Sequence, residues 1–123
     1  MKKIFYNKLI RDRIPEKIKR NGGDYAIEKL NKKAFEAALL TKVGEEASGL
    51  LSSKTREEIT SELADIIAVI DEIKKFKKIT DKQISQALEE NFNKKGGFDK
   101  RLFLIWSSDT GYKTNERRNK SKK

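Results

Sequence analysis

The amino-acid sequence predicts an all-α fold, an antiparallel bundle of helices joined by short connections. Apolar residues recur at intervals of three and four over two long segments, which is typical of amphipathic helices. Helix-capping residues stand in front of three segments. The length of 123 residues allows one small domain with a limited core, so we expect self-association to add stability.

The first part of the chain is expected to contain one short helix. Pro15 suits a first helical turn and Gly22-Gly23 is a typical stop, so a helix is predicted over residues 15–20. Residues 25–30 alternate apolar and polar side chains, which fits a short strand or an extended arm. The N-terminal part therefore contributes a short helix followed by an extended stretch.

Two long amphipathic helices follow and are expected to pack against each other. Asn31 is a good N-cap for the first, predicted over about residues 32–51 and ended by Ser52-Ser53. Thr55 and Glu58 form a capping box for the second, predicted over about residues 56–77. This second helix is expected to form the core, because it carries the longest apolar series: Ile59, Leu63, Ile66, Ile67, Ile70 and Ile73.

A further helix is predicted to start after the capping residues Thr80 and Gln83 and to end at Gly96-Gly97. An apolar run, LFLIW at residues 102–106, is expected to pack onto the bundle or onto a partner chain. We therefore predict one domain over residues 1–106 and a basic, disordered tail over residues 107–123.

The composition excludes several kinds of site. The chain has no Cys and no His, which rules out disulfides, thiolate or imidazole metal ligands and histidine bases. No apolar run approaches the roughly 18 residues that a membrane span needs, and the N-terminus lacks a signal-peptide-like segment. We therefore expect a cytoplasmic protein without membrane contact, whose chemistry uses carboxylates, Lys or Arg, hydroxyls or a metal.

The net charge of +10 suggests binding to nucleic acid or another polyanion. Half of that charge lies in residues 111–123, which carry six Lys or Arg against one Glu. A tail of this kind binds polyanions weakly and without sequence preference. We therefore expect weak, non-specific polyanion binding through the tail.

Two acidic clusters on the long helices form the candidate site. Glu45 and Glu46 lie on the first helix, and Glu62 and Asp65 project one turn apart from the same side of the second. If the helices run antiparallel about their short connection, the two clusters lie level within about one turn, or roughly 5 Å. Four carboxylates are therefore expected between two helices.

Carboxylates that meet in this way repel one another unless a cation joins them. An all-oxygen set of ligands favours Mg²⁺ or Mn²⁺, and the reaction class is then metal-assisted hydrolysis of a phosphoanhydride. The alternative is that these acids are solvated, or that Glu58 or Glu62 pairs with the nearby Arg56 or Lys54.

Four sequence blocks occur in the order found in a known enzyme family. They are YNKLIRDRIPE at 6–16, KVGEEASGLL at 42–51, ELADIIAVIDEI at 62–73 and KKGGFDKRLFL at 94–104. On these blocks the chain resembles the MazG-like, phosphoribosyl-ATP pyrophosphohydrolase-like nucleoside triphosphate pyrophosphohydrolases. The resemblance implies an all-α bundle completed as a homodimer or a dimer of dimers around Mg²⁺ sites. It also implies cleavage of a nucleotide substrate between the α- and β-phosphates, which gives a nucleoside monophosphate and pyrophosphate.

The resemblance also implies roles for the acidic residues. The family signature is Glu-Glu-x-x-Glu on one helix and Glu-x-x-Asp on the next. It assigns Glu46, Glu62 and Asp65 as metal ligands, and Glu45 as a further ligand or the catalytic group that orients water. Gly49 stands at the remaining Glu position and supplies no ligand. Three interpretations follow: a weaker enzyme, a protein that binds nucleotide or metal without turnover, or a domain for assembly or regulation.

A polyphosphate substrate needs cations, and the basic residues of the first and last blocks are candidates to bind it. The candidate substrate-binding residues are Lys8, Arg11, Lys94, Lys95, Lys100 and Arg101. As an alternative, lysines at a helix C-terminus stabilise the helix dipole, and Arg11 joins an ion-pair cluster that holds the N-terminal arm to the bundle.

Overall fold

A computed structural model of the chain describes residues 2–111. This part is all-α: it contains four helices and no strand, which confirms the predicted fold class. The helices are α1 (Ile14–Arg20), α2 (Lys32–Ser52), α3 (Arg56–Lys77) and α4 (Asp81–Lys95). Residues 25–30 form neither helix nor strand. The prediction of a basic, disordered tail falls largely on residues 112–123, which lie outside the described residues.

Capping interactions determine where the three long helices begin. Asn31 Oδ1 accepts the backbone N–H three residues ahead at 2.8 Å. Thr55 Oγ1 accepts the N–H of Glu58 at 3.1 Å, while the Glu58 carboxylate accepts the N–H of Thr55 at 3.0 Å. Thr80 and Gln83 repeat this reciprocal arrangement in front of α4. Each of these bonds satisfies an amide that the helix itself leaves free, so the predicted helix starts are confirmed.

The two longest helices, α2 and α3, pack as an antiparallel pair. At one end Lys77 Nζ contacts Glu36 Oε1 at 3.1 Å. Near the connection the side chain of Glu62 lies against Gly49. The connection consists only of residues 53–55, so the helices have little freedom to slip along each other.

The apolar interior of this pair is small. Leu39 of α2, only 3% exposed, is the one buried apolar side chain among residues 2–111. Phe35 and Phe76 contact edge to face, with their ring centroids 5.5 Å apart. Aromatic pairs of this geometry add to the stability gained from burial alone.

The prediction that α3 forms the core is wrong within a single chain. No residue of α3 is buried, and four of its apolar side chains are 40–57% exposed: Ile59, Leu63, Ile67 and Ile70. The physical reason is that α3 has an apolar stripe wider than one neighbour can cover, and α2 is the one helix packed on it in the described structure. Four of the six apolar residues of the stripe therefore remain exposed.

The described residues separate into two compact units, with the division between residues 87 and 88. The first contains α1, α2, α3 and the start of α4, and it holds the acidic clusters. The second contains the rest of α4 and the segment after it, whose apolar run at 102–106 is exposed, with Trp106 80% exposed. The domain boundary at residue 106 stays a prediction.

Among the helices of residues 2–111, none is both long enough and apolar enough to cross a membrane.

Candidate functional site

Three carboxylates from the packed helices form the candidate site. Glu46 extends from α2, and Glu62 and Asp65 extend from α3; one oxygen of each lies within 4.8 Å of the others. All three residues are half-buried. Glu62 and Asp65 share one side of α3 because three residues separate them, and the antiparallel pairing brings Glu46 level with both. The structure thus brings together three of the four predicted acids.

Two cations of the chain neutralise part of this negative charge. Arg11, in the segment before α1, contacts Asp65 Oδ1 at 2.9 Å. Lys42 lies one turn before the acids of α2 and contacts Glu45 at 3.3 Å and Glu46 at 3.5 Å. The Lys42 side chain is only 15% exposed, so its charge acts close to the cluster. The ion pairs expected as an alternative, between Glu58 or Glu62 and Arg56 or Lys54, do not occur among the described residues; Lys42 and Arg11 supply the cations instead.

Glu62 has a different neighbour, the backbone of α2 at Gly49. A methyl group built on Gly49 would lie 2.6 Å from Glu62 Oε2 and 2.9 Å from its Cδ. Both distances are well below ordinary van der Waals contact. The Glu62 carboxylate therefore occupies the space that a side chain at position 49 would need.

The donor set suits a small, hard cation. Three carboxylate oxygens and no nitrogen or sulfur donors favour Mg²⁺ or Mn²⁺ over zinc. Two oxygens bound to one Mg²⁺ at about 2.1 Å lie at most about 4.2 Å apart, so the 4.8 Å spacing needs only small side-chain rotations. The site also leaves room for water and substrate oxygens, since Mg²⁺ takes six ligands.

The other predicted residues lie outside this cluster of three. Glu45 is directed to Lys42 rather than to the three carboxylates. The Nζ of Lys8 lies over the Tyr6 ring, 5.5 Å from its centroid. Arg11 is the one predicted substrate-binding residue found in contact with the cluster. Four further candidates belong to the second unit: Lys94, Lys95, Lys100 and Arg101.

A shallow, open surface pocket of about 330 Å³ adjoins the cluster at Glu62. This volume is at the lower end for small-molecule sites. Hydroxyl groups and carboxylates supply most of its polar lining, which consists of Gly49, Ser52, Ser53, Glu58, Ser61 and Glu62. A ligand in this pocket therefore has direct access to Glu62.

Two features of the site were not predicted from the sequence. Lys42 was overlooked, although it stands three and four residues before the two acids, the spacing at which helix ion pairs form. The approach of Glu62 to Gly49 had no sequence signal, because it depends on the distance between two helices.

Comparison of the chain with protein-family models, curated proteins and solved structures gave no match. Its function is therefore inferred from the residues of the site and from the four sequence blocks.

Proposed function

We propose that the protein is a MazG-like, Mg²⁺-dependent nucleoside triphosphate pyrophosphohydrolase. It would use water to convert a nucleoside triphosphate into a nucleoside monophosphate and pyrophosphate. The observation that carries the proposal is the group of three carboxylate oxygens within 4.8 Å of one another. These acids come from two of the four sequence blocks, and a third block supplies Arg11, 2.9 Å from Asp65. Two blocks of the helix pair and a third, which contributes Arg11 from 54 residues before Asp65, thus meet at one place.

In this proposal Glu46, Glu62 and Asp65 hold the cation. The chemistry that Mg²⁺ supplies in such a site is shielding of phosphate charge and activation of water. Glu45 is adjacent to a ligand but outside the cluster, and its proposed role is to orient the attacking water or to accept its proton while Lys42 contacts it at 3.3 Å. Lys42 contacts both Glu45 and Glu46 and therefore fixes the orientation of one relative to the other.

Positive side chains bind the phosphates of the substrate. Arg11 already contacts an acid of the cluster, and its guanidinium can bind two phosphate oxygens at once. Lys8 belongs to the same block and is the next candidate. The four basic residues of the second unit named above are further candidates from the sequence.

A second copy of the chain completes the helical bundle in this proposal. The exposed apolar stripe of α3 supports it, because full burial of one Ile side chain stabilises by about 1.5–3 kcal/mol. The apolar run at 102–106 is more exposed still, at 67–90%, and offers further area for association. The assembly is a homodimer or a dimer of dimers, and the absence of Cys suits a reducing cytoplasm.

A second candidate function is binding of nucleotide or metal without turnover, in a regulatory or assembly role. Two observations favour it: Gly49 supplies no fourth carboxylate, and Lys42 already engages Glu45. A site with fewer free carboxylates binds a hard cation less tightly, because fewer charges balance the ion.

The test is release of pyrophosphate from a broad panel of nucleoside triphosphates in the presence of Mg²⁺ or Mn²⁺. We expect the unaltered protein to release pyrophosphate, and Glu62→Gln and Asp65→Asn to lower metal affinity by about tenfold or more. Glu57→Gln is the matched control, since Glu57 is exposed on the first turn of the same helix, outside the cluster.

The two candidate functions separate in the same samples. Absence of pyrophosphate release from every nucleotide overturns the enzymatic proposal. Calorimetric binding of a nucleotide with Mg²⁺, without release of pyrophosphate, establishes the second candidate instead. Equal effects of Glu57→Gln and Glu62→Gln would show that the cluster has no special role.

A further inference from the structure

We propose that Gly49 is a positioning residue for the candidate cation site. Because it has no side chain, the Glu62 carboxylate can lie against α2, within reach of Glu46 and Asp65. This inference rests on the proposed function, since it concerns the cation site assigned there. In this role, the Glu62 carboxylate occupies the space that a side chain at position 49 would need.

The contact distances set what a side chain at position 49 would do. A Cβ atom there would lie 2.6 Å, 2.9 Å and 3.2 Å from the three carboxylate atoms of Glu62. All three belong to the free end of a long side chain, whereas no backbone atom of α3 lies as close. The overlap is therefore relieved by rotation of Glu62, and the helix pair keeps its spacing.

The rotation removes one carboxylate from its present position in the cluster. In the observed arrangement of Glu62 the three oxygens lie within 4.8 Å of one another. A side chain at position 49 therefore weakens cation binding without a matching loss of stability.

A second glycine of α2 provides a matched control. Gly44 lies in the same helix, and a Cβ built on it has no heavy atom within 4 Å. Neither Gly44 nor Gly49 has a positive φ angle, so alanine fits the backbone at both positions. Alanine also favours a helix more than glycine does, so both substitutions should raise the melting temperature. The two variants differ in the contact with Glu62.

The experiment compares the full-length protein with its Gly44→Ala and Gly49→Ala variants, with Mn²⁺ as the probe. Affinity is measured by calorimetry or by the electron paramagnetic resonance signal of free Mn²⁺, and melting temperature by circular dichroism. We expect Gly44→Ala to keep its Mn²⁺ affinity and Gly49→Ala to lose about tenfold or more. Neither variant should melt below the unaltered protein.

A shorter acid at position 62 tests the cause of the loss. Glu62→Asp withdraws the carboxylate from position 49, so it should weaken Mn²⁺ binding in the unaltered protein. In the Gly49→Ala background the same change should cause little further loss, because the carboxylate has already been displaced. Independent, additive losses would overturn the proposed coupling between the two positions.

Other outcomes separate this inference from the proposed function. Equal Mn²⁺ affinity of Gly49→Ala and Gly44→Ala overturns the inference and leaves the metal site intact. A lower melting temperature for Gly49→Ala shows a purely structural role and also overturns it. Absence of Mn²⁺ binding by the unaltered protein overturns the proposed metal site and this inference with it.

Discussion

Arg11 has two roles in the proposed site: it pairs with Asp65, and it binds substrate phosphate. Replacing Arg11 by alanine separates these two roles. In the absence of substrate, Arg11 holds an oxygen that a cation would use, with 2.9 Å between the two groups. With substrate present, the proposed role of Arg11 is to bind phosphate. Arg11→Ala should therefore strengthen the binding of Mn²⁺ alone and weaken the binding of a nucleoside triphosphate.

The magnitude follows from the exposure of the ion pair. The side chains of Arg11 and Asp65 are 64% and 39% exposed, and ion pairs of this kind contribute about 0.2–1 kcal/mol. Removing this competing interaction should tighten Mn²⁺ binding by about 1.4-fold to 5-fold. Loss of a hydrogen bond to a charged phosphate costs about 1.5–3 kcal/mol, so nucleotide affinity should fall by about tenfold or more.

The assay is calorimetric titration with Mn²⁺ and, separately, with a nucleoside triphosphate. Arg13→Ala is the matched control, because Arg13 carries the same charge two residues away and contacts Glu16 outside the cluster, at 3.4 Å. Repetition at a higher salt concentration should reduce the gain in Mn²⁺ affinity, since salt screens exposed charges.

Two results would refute this reasoning. If Arg11→Ala binds Mn²⁺ no better than Arg13→Ala does, Arg11 does not compete for Asp65. If both variants lose nucleotide affinity equally, the effect reflects net charge and gives Arg11 no specific role.

Three other predictions concern association, stability and the tail. Ile67→Lys places a charge on the exposed stripe of α3 and should raise the dissociation constant of the proposed dimer at least about tenfold. Analytical ultracentrifugation measures this constant, and an unchanged value would exclude this face from the interface. The Lys74 hydrogen bond holds the pKa of the Asp81 carboxyl below its ordinary value, and backbone amide donors lower the pKa of Glu58. Both carboxyls therefore stabilise the fold fully above a pH of about 5, past the ordinary pKa of each group, and this contribution is lost as the pH falls below that value. A free energy of unfolding that is equal at pH 3 and pH 7 in urea titrations would contradict it. Deletion of residues 111–123 should abolish retention on a nucleic-acid column and leave the circular dichroism spectrum of the helices unchanged.

Local chemistry made the helices predictable. Asn31, Thr55 and Thr80 begin helices because their side chains accept backbone N–H groups within three residues, and such bonds depend on sequence spacing alone. Gly96, with a φ of +78°, follows the end of α4 for an equally local reason. The position of Glu46 beside Glu62 and Asp65 could be predicted because the connection between α2 and α3 is short.

Contacts between distant parts of the chain were harder to predict. The spacing of apolar residues in α3 identifies the face that needs to be covered. It does not show whether this chain or another molecule covers that face, so the exposure of Ile67 could not be predicted. An ion pair of Arg11 with the bundle was one alternative from the sequence, but Asp65 lies 54 residues away and the sequence does not identify it as the partner. The family resemblance supplied the roles of the acids, and those roles stay predictions.

The three-residue connection between α2 and α3 has a kinetic consequence. Closure of so short a loop is fast and unimolecular, and the contacts that it forms are close in sequence. Glu46, Glu62 and Asp65 all belong to this hairpin, so they come together at a rate that does not depend on protein concentration. The proposed association through the outer face of α3 is a bimolecular event. Dilution should therefore separate the copies while each chain retains its three carboxylates in place.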